Sequence, residues 1–234
     1  MKLSTIAKTS LALGILTTGV MTTYAQSADA EAQASVQTKI STEELKKYYN
    51  KPHWDLKNIS GYKDGDKVEV VDSLQLTNVS LLGSDKTRFM DGNIPNIDVF
   101  VVRENDNRKP ENESIGGITL TNKDKYKDYV TNPPITLIES NGNATKSSYL
   151  GTHKIDKKEI SLKELDFKLR NKLIKDHKLY SNGNNNGVIT VHMKDKKIEN
   201  NYYSFVLDNK LQDHRMGDVI DATQIERIDV EYKK

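Results

Sequence analysis

Leu162, Leu165, Leu169 and Leu173 recur at intervals of three, four and four residues. Those intervals put all four on one face of an α-helix, predicted from Ser161 to Lys178. A helix with one apolar stripe must bury it against another element. Ser161 and Glu164 have capping-box spacing at its start. Lys175, His177 and Lys178 fill its last turn, where positive charge opposes the helix dipole, and Ser181, Asn182 and Gly183 stop it. Most of the remaining chain offers short strand-like runs, so the surface that covers the stripe is a sheet and the fold class is α+β.

Ahead of that helix, Ser41 to Asn50 reads as a short helix. Ser41 and Glu44 again have capping-box spacing, and Leu45, Tyr48 and Tyr49 give an apolar side. Strand-like runs follow near Trp54–Gly61, Lys67–Val71, Leu74–Leu82, Ile97–Arg103 and Ser114–Thr121, with turns at Asp64–Asp66, Gly83–Asp85 and Asp91–Asn93. Val99, Phe100, Val101 and Val102 form an unbroken apolar run, as expected of a strand buried on both faces. Five short strands after a small helix suit a small β-barrel. Asn132, Pro133 and Pro134 break the chain near a domain boundary. Beyond it the sequence predicts a strand at Ile135–Glu139, a polar loop over Ser140–Asn143, the long helix, strands at Val188–Lys194 and Tyr202–Leu207, and a last strand through Ile228, Val230 and Tyr232.

The first residues read as an address. Lys2 and Lys8 precede an apolar stretch from Leu11 to about Met21, interrupted by Gly14 and Gly19, and Ala28, Asp29 and Ala30 fit a small-x-small cleavage site. The stretch is short for a membrane span, which needs ~20 apolar residues. The expected division is a signal peptide over 1–30, a flexible tail over 31–40, a barrel domain over 41–131 and a second domain over 132–234. Cleavage removes two lysines and one aspartate and takes the formal charge from +2 to +1. A charge so near zero gives no reason to expect a nucleic-acid partner. The chain has no cysteine, which excludes disulfides, thiolate metal sites and a cysteine nucleophile. Secretion without cysteine, with many lysines and asparagines, suits a bacterial exoprotein. The sequons at Asn58, Asn78, Asn112 and Asn143 are then plain polar residues.

No catalytic constellation stands out. There is no nucleophile elbow and no phosphate-cradling glycine loop. His53, His153, His177, His192 and His214 are scattered without ligand spacing, so no metal and no cofactor is expected. Asn182 to Gly187 resembles the start of a calcium loop, but Met193 stands where its bidentate glutamate belongs, so it is a turn. Lys194–Lys197 reads as a basic hairpin turn. Residues 153–180 carry nine basic and five acidic side chains. That excess reads as a solvated helix face, or as an electrostatic surface for an acidic partner.

The run from Lys157 to Tyr180 resembles the long-helix signature of staphylococcal and streptococcal superantigen toxins, with Lys157, Ile160, Leu165, Asp166, Arg170, Leu173, Leu179 and Tyr180 at its positions. A second signature of those toxins is partly met by Ile115, Gly116, Gly117, Ile118 and Thr119; Ile115 stands where true superantigens have tyrosine. Leu45–Tyr49, Asn58–Gly61, Ile97–Val102 and His214–Ile220, with Ala12–Gly19 in the signal segment, look like the staphylococcal superantigen-like proteins. The resemblance implies an N-terminal OB-fold β-barrel and a C-terminal β-grasp domain with a long central helix. It also implies a secreted, non-enzymatic immune-evasion protein whose partner is a host immune protein or a leukocyte glycoprotein. T-cell mitogenicity is a further alternative, and relatives that dimerise make a homodimer another.

The physical role of the signature is mainly structural. The leucines belong to the core, Asp166 and Arg170 can pair four residues apart, and Tyr180 packs at the domain junction. The family's binders of sialyl-Lewis-type glycans carry Thr-x-Glu in a strand, then Lys-Leu, then Arg-Met. Here Ser204 keeps the hydroxyl, Lys210 and Arg215 are kept, and Val206 replaces the glutamate. Arg215 can pair with a sialate carboxylate, or with a neighbouring acid on the surface; Val206 cannot accept a hydrogen bond from a sugar.

Overall fold

The structure, a computed structural model, describes residues 40–105, 110–124, 128–141, 144–195 and 201–233. The signal segment, nearly all of the tail, and half of the Lys194–Lys197 turn lie outside the described residues. Helix α1 (Thr42–Tyr48) starts on a complete capping box: Ser41 Oγ accepts from Glu44 N, and Glu44 Oε2 accepts from Ser41 N at 3.0 Å. Six strands follow: β1 (His53–Asp64), β2 (Lys67–Asp72), β3 (Gln75–Ser80), β4 (Gly92–Val102), β5 (Asn112–Ile115) and β6 (Ile118–Leu120). They form one sheet in the order β5-β3-β2-β1-β4-β6, all antiparallel except for the β3–β5 pair.

Beyond residue 131 come β7 (Pro134–Asn141), β8 (Ala144–Thr152), β9 (Glu159–Ser161), α2 (Leu162–His177), β10 (Gly187–Met193), β11 (Tyr202–Val206), β12 (Val219–Asp221) and β13 (Ile225–Lys233). Five of these strands make a mixed sheet, β11-β10-β13-β7-β8, in which β13 and β7 run parallel, while β9 and β12 pair separately.

Leu162, Leu165, Leu169 and Leu173 are all buried, in a core shared with Ile189, Val191, Ile228 and Val230 of the five-stranded sheet. That same core takes in Leu45, Tyr49, Phe100 and Val102 from the N-terminal half. A second core fills the inside of the first sheet with Val68, Val70, Val79, Ile97, Val99 and Val101. The apolar run in β4 is thereby explained. Val99 and Val101 face one core, Phe100 and Val102 the other, because successive side chains of a strand point to opposite faces.

Several expectations need correction. Asp91–Asn93 is not a free turn, since β4 begins at Gly92. Ser114–Thr121 is two strands, broken by Gly116 and Gly117, whose consecutive left-handed φ angles of 52° and 85° interrupt the extended backbone. Leu74 sits in the β2–β3 turn. Ser140 and Asn141 belong to β7 and not to a loop, and β8 follows where the sequence named no element. At α2 only half of the capping box forms. Ser161 Oγ accepts from Glu164 N, but the Glu164 carboxylate is drawn to Lys157 and Lys168. The basic excess over 153–180 is not simply a solvated face, because Lys157 and Lys163 are each only 2% exposed.

Candidate functional site

The site is built on a buried ion pair. Arg170, 0% exposed, lies one helical turn beyond Asp166, and its Nε donates to Asp166 Oδ1 at 2.7 Å. Its Nη1 donates to the Tyr180 hydroxyl and, at 3.1 Å, to the Leu207 carbonyl; its Nη2 donates to the Val206 carbonyl at 3.0 Å. Tyr49 closes the network from α1's end, donating to Asp166 Oδ2 at 2.6 Å, accepting from Leu211 N at 3.2 Å and lying under the guanidinium. Burial disfavours the charge on Arg170, but Asp166, Tyr49 and Tyr180 outweigh it and hold the guanidinium above its usual range. Burial likewise pushes the Tyr49 hydroxyl well up, and that of Tyr180 to about 12. The pair thus anchors the end of β11 and the loop after it to α2.

That loop and strand carry the residues singled out for glycan binding. Ser204 lies on β11, the edge strand of its sheet. Arg215 ends a short 3₁₀ turn, Asp213–Arg215. The two come together through the backbone: Arg215 Nη1 donates to the Ser204 carbonyl at 3.2 Å and to Gln212 Oε1 at 3.1 Å. Among the described residues its Nε and Nη2 make no hydrogen bond. Burial lowers the guanidinium below its ordinary range, against the pull of Asp218, Asp166 and Tyr203.

Lys210 points elsewhere. Its Nζ lies 3.2 Å from Asp213 Oδ1, 3.7 Å from Glu104 Oε2 and 4.6 Å from the centre of the Tyr48 ring. Glu104 is itself bound by the Tyr48 hydroxyl at 2.8 Å. The structure therefore joins Ser204 and Arg215 but ties Lys210 to the N-terminal half.

The remaining signature residues are interior. Leu165, Leu173, Leu179 and Ile160 are core, and Lys157 pairs with Glu164 at 2.9 Å. Sequence reasoning passed over Gln212 and Lys163. Gln212 stands between Lys210 and Arg215 in the same run, a proximity that could have flagged it. Lys163 donates to Ser114 Oγ and the Ile115 carbonyl, both at 2.7 Å, and nothing in its local sequence marks it as buried. Among the described residues no three His, Asp or Glu side chains converge as a metal site would require.

An N-terminal six-stranded sheet and a C-terminal five-stranded sheet that shares a core with one long helix describe a two-domain fold. The staphylococcal superantigen-like OB-fold domain matches residues 43–122, and the staphylococcal/streptococcal toxin β-grasp domain matches residues 133–232. Superantigen-like protein 11 of Staphylococcus aureus (strain Newman) is 46% identical over 98% of this chain and 99% of its own length. Staphylococcal superantigen-like 1 of the same strain is 45% identical over all of both chains. Among solved structures, a Staphylococcus aureus superantigen-like protein in complex with sialyl-Lewis X has a TM-score of 0.75 at 38% identity, covering 83% of this chain and 100% of that one. Exotoxin 6 from Staphylococcus aureus subsp. aureus Mu50 has a TM-score of 0.74 at 44% identity, with the same coverage. The chain belongs to the staphylococcal superantigen-like family. Its OB-fold and β-grasp domains are those of non-enzymatic, toxin-like binding proteins.

Proposed function

We propose that residues 31–234, released by cleavage after Ala30, act as a secreted immune-evasion protein that engages a host immune protein or receptor. In this reading residues 41–131 and 132–234 are two rigid scaffolds, and recognition lies on their loops and sheet edges. The observation that carries it is Val206. Its side chain cannot accept a hydrogen bond at a position where a sugar hydroxyl needs an acceptor, and a site of polar contacts loses affinity when one partner is missing. Lys210, spent on Glu104 and Asp213, points the same way. The test is capture from human plasma and leukocyte lysate by immobilised residues 31–234, before and after desialylation. One dominant protein, captured equally from both and by direct polypeptide contact, supports the reading; capture that vanishes on desialylation overturns it.

A second reading, binding of sialylated leukocyte glycans, is favoured by the Arg215–Ser204 pairing and by relatives solved with sialyl-Lewis X and with 3-N-acetylneuraminyl-N-acetyllactosamine. The Nε and Nη2 of Arg215, which make no hydrogen bond among the described residues, form the edge that a carboxylate engages in a bidentate way. Arg215→Ala abolishes binding on a sialylated glycan array if this reading holds; unchanged array binding rejects it. No feature of the site favours T-cell mitogenicity.

A further inference from the structure

Two sequence features have no part in the function proposed above: the half-met toxin signature Ile115–Thr119 and the turn Gly83–Asp85. The structure brings both against one segment, His214–Asp218, which carries Arg215. Gly83 lies so near it that a Cβ would sit 1.8 Å from the His214 carbonyl oxygen. Whatever its backbone angles, this glycine is what allows the close approach.

A Cβ on Gly217 would sit 2.0 Å from Asp85 Oδ2, and one on Gly116 would sit 2.6 Å from Gly217 N. Gly117 N donates to the Met216 carbonyl at 3.1 Å, and Ser84 Oγ donates to Asp218 Oδ1 at 2.6 Å. Asp85 is 1% exposed, accepts from Gly83 N at 3.0 Å, and is held above the usual carboxylate range by burial. The segment is closed on itself as well: Met216 N donates to the Asp213 carbonyl at 3.2 Å, and Asp218 N to the Arg215 carbonyl at 3.1 Å.

We propose that the barrel positions Arg215: Gly83–Asp85 and Gly116–Gly117 form a cradle for the turn that carries it, so that recognition at the Arg215–Ser204 pair depends on the docked barrel. Gly83, Ser84 and Gly117 are positioning residues, acting on a ligand only through Arg215. The glycan reading is needed for the ligand arm of the test alone.

The experiment compares residues 31–234 with the variants Gly83→Ala, Ser84→Ala and Ser84→Thr. The readouts are the Arg215 Nε–H resonance, amide exchange, and titration with 3′-sialyl-N-acetyllactosamine. Gly83→Ala and Ser84→Ala are expected to move the Arg215 Nε–H signal and to speed exchange at Arg215–Asp218 about tenfold, with α2 still protected. Ser84→Thr restores both, and affinity for the trisaccharide follows the Nε–H signal. Should Gly83→Ala fail to fold, Ser84→Ala with its threonine rescue decides. An Arg215 signal and exchange rate unchanged in Ser84→Ala overturn the proposal. A wild-type chain that ignores the trisaccharide yet shows the coupling supports the cradle and retires the glycan reading.

Discussion

Arg170 spends all three of its guanidinium nitrogens inside the protein, on Asp166, Tyr180, Leu207 and Val206. Removing it would leave the buried Asp166 carboxylate without its counter-charge and the Val206 carbonyl without this donor, although Tyr49 still donates to Asp166 and Tyr180 to the Leu207 carbonyl. Arg170→Met is therefore expected to cost about 3–5 kcal/mol in chemical denaturation. A loss below about 1 kcal/mol would be the cost of an exposed pair and would contradict this picture. Lys163 makes a different demand. Burial pushes its ammonium down to about 7, while Glu104 and Asp213 pull up and Lys210 and Lys51 push down. Between that value and the ordinary 10.5, the unfolded chain holds a proton that the folded chain does not. Stability contributed by this group therefore rises with pH through that window, and below it the penalty is constant. Lys163→Met should flatten the rise. Urea midpoints of both proteins at about pH 7 and about pH 9 check it, and parallel slopes would refute it.

Among the elements, the β2–β3 hairpin holds its turn at a cost. Ser73 and Leu74 have φ of 46° and 70°, and Leu74 is 100% exposed. A two-residue turn with both residues left-handed matches the twist of the flanking strands but suits Asn-Gly rather than Ser-Leu. The pair Ser73→Asn and Leu74→Gly is expected to stabilise the chain by about 1 kcal/mol, read from the denaturation midpoint; a loss of stability would show that Leu74 makes a contact the strands need. The same scale shows what the sequence could tell. α2 was legible because its stripe repeats with the helical period, and β4 because four apolar residues in a row need two cores. β8 was not, because Ala144–Thr152 is an edge strand whose only large apolar residues, Tyr149 and Leu150, are adjacent and leave no alternation to read. The second half of the α2 capping box also escaped. Lys157, Lys168 and Ser161 all offer donors near Glu164, and only the folded chain decides among them.

At the scale of the molecule, the two halves share a core and a polar seam. Phe100 and Val102 pack with the α2 leucines, Lys163 donates into β5, Arg88 pairs with Glu159, and Lys168 lies 3.0 Å from Asp55. The candidate site sits where this seam meets the β11 edge. Its residue types were visible in the sequence, at Ser204, Lys210 and Arg215. Their separation was not: Lys210 is claimed by Glu104, more than a hundred residues earlier in the chain. A linear motif carries no record of such a competitor. The most direct measurement is binding of labelled residues 31–234 to human neutrophils and monocytes, with and without sialidase treatment of the cells. The account predicts saturable binding that survives sialidase, as the proposed polypeptide target requires. Binding abolished by sialidase would contradict it and would mean that Arg215 and Ser204 make a working glycan site despite Val206.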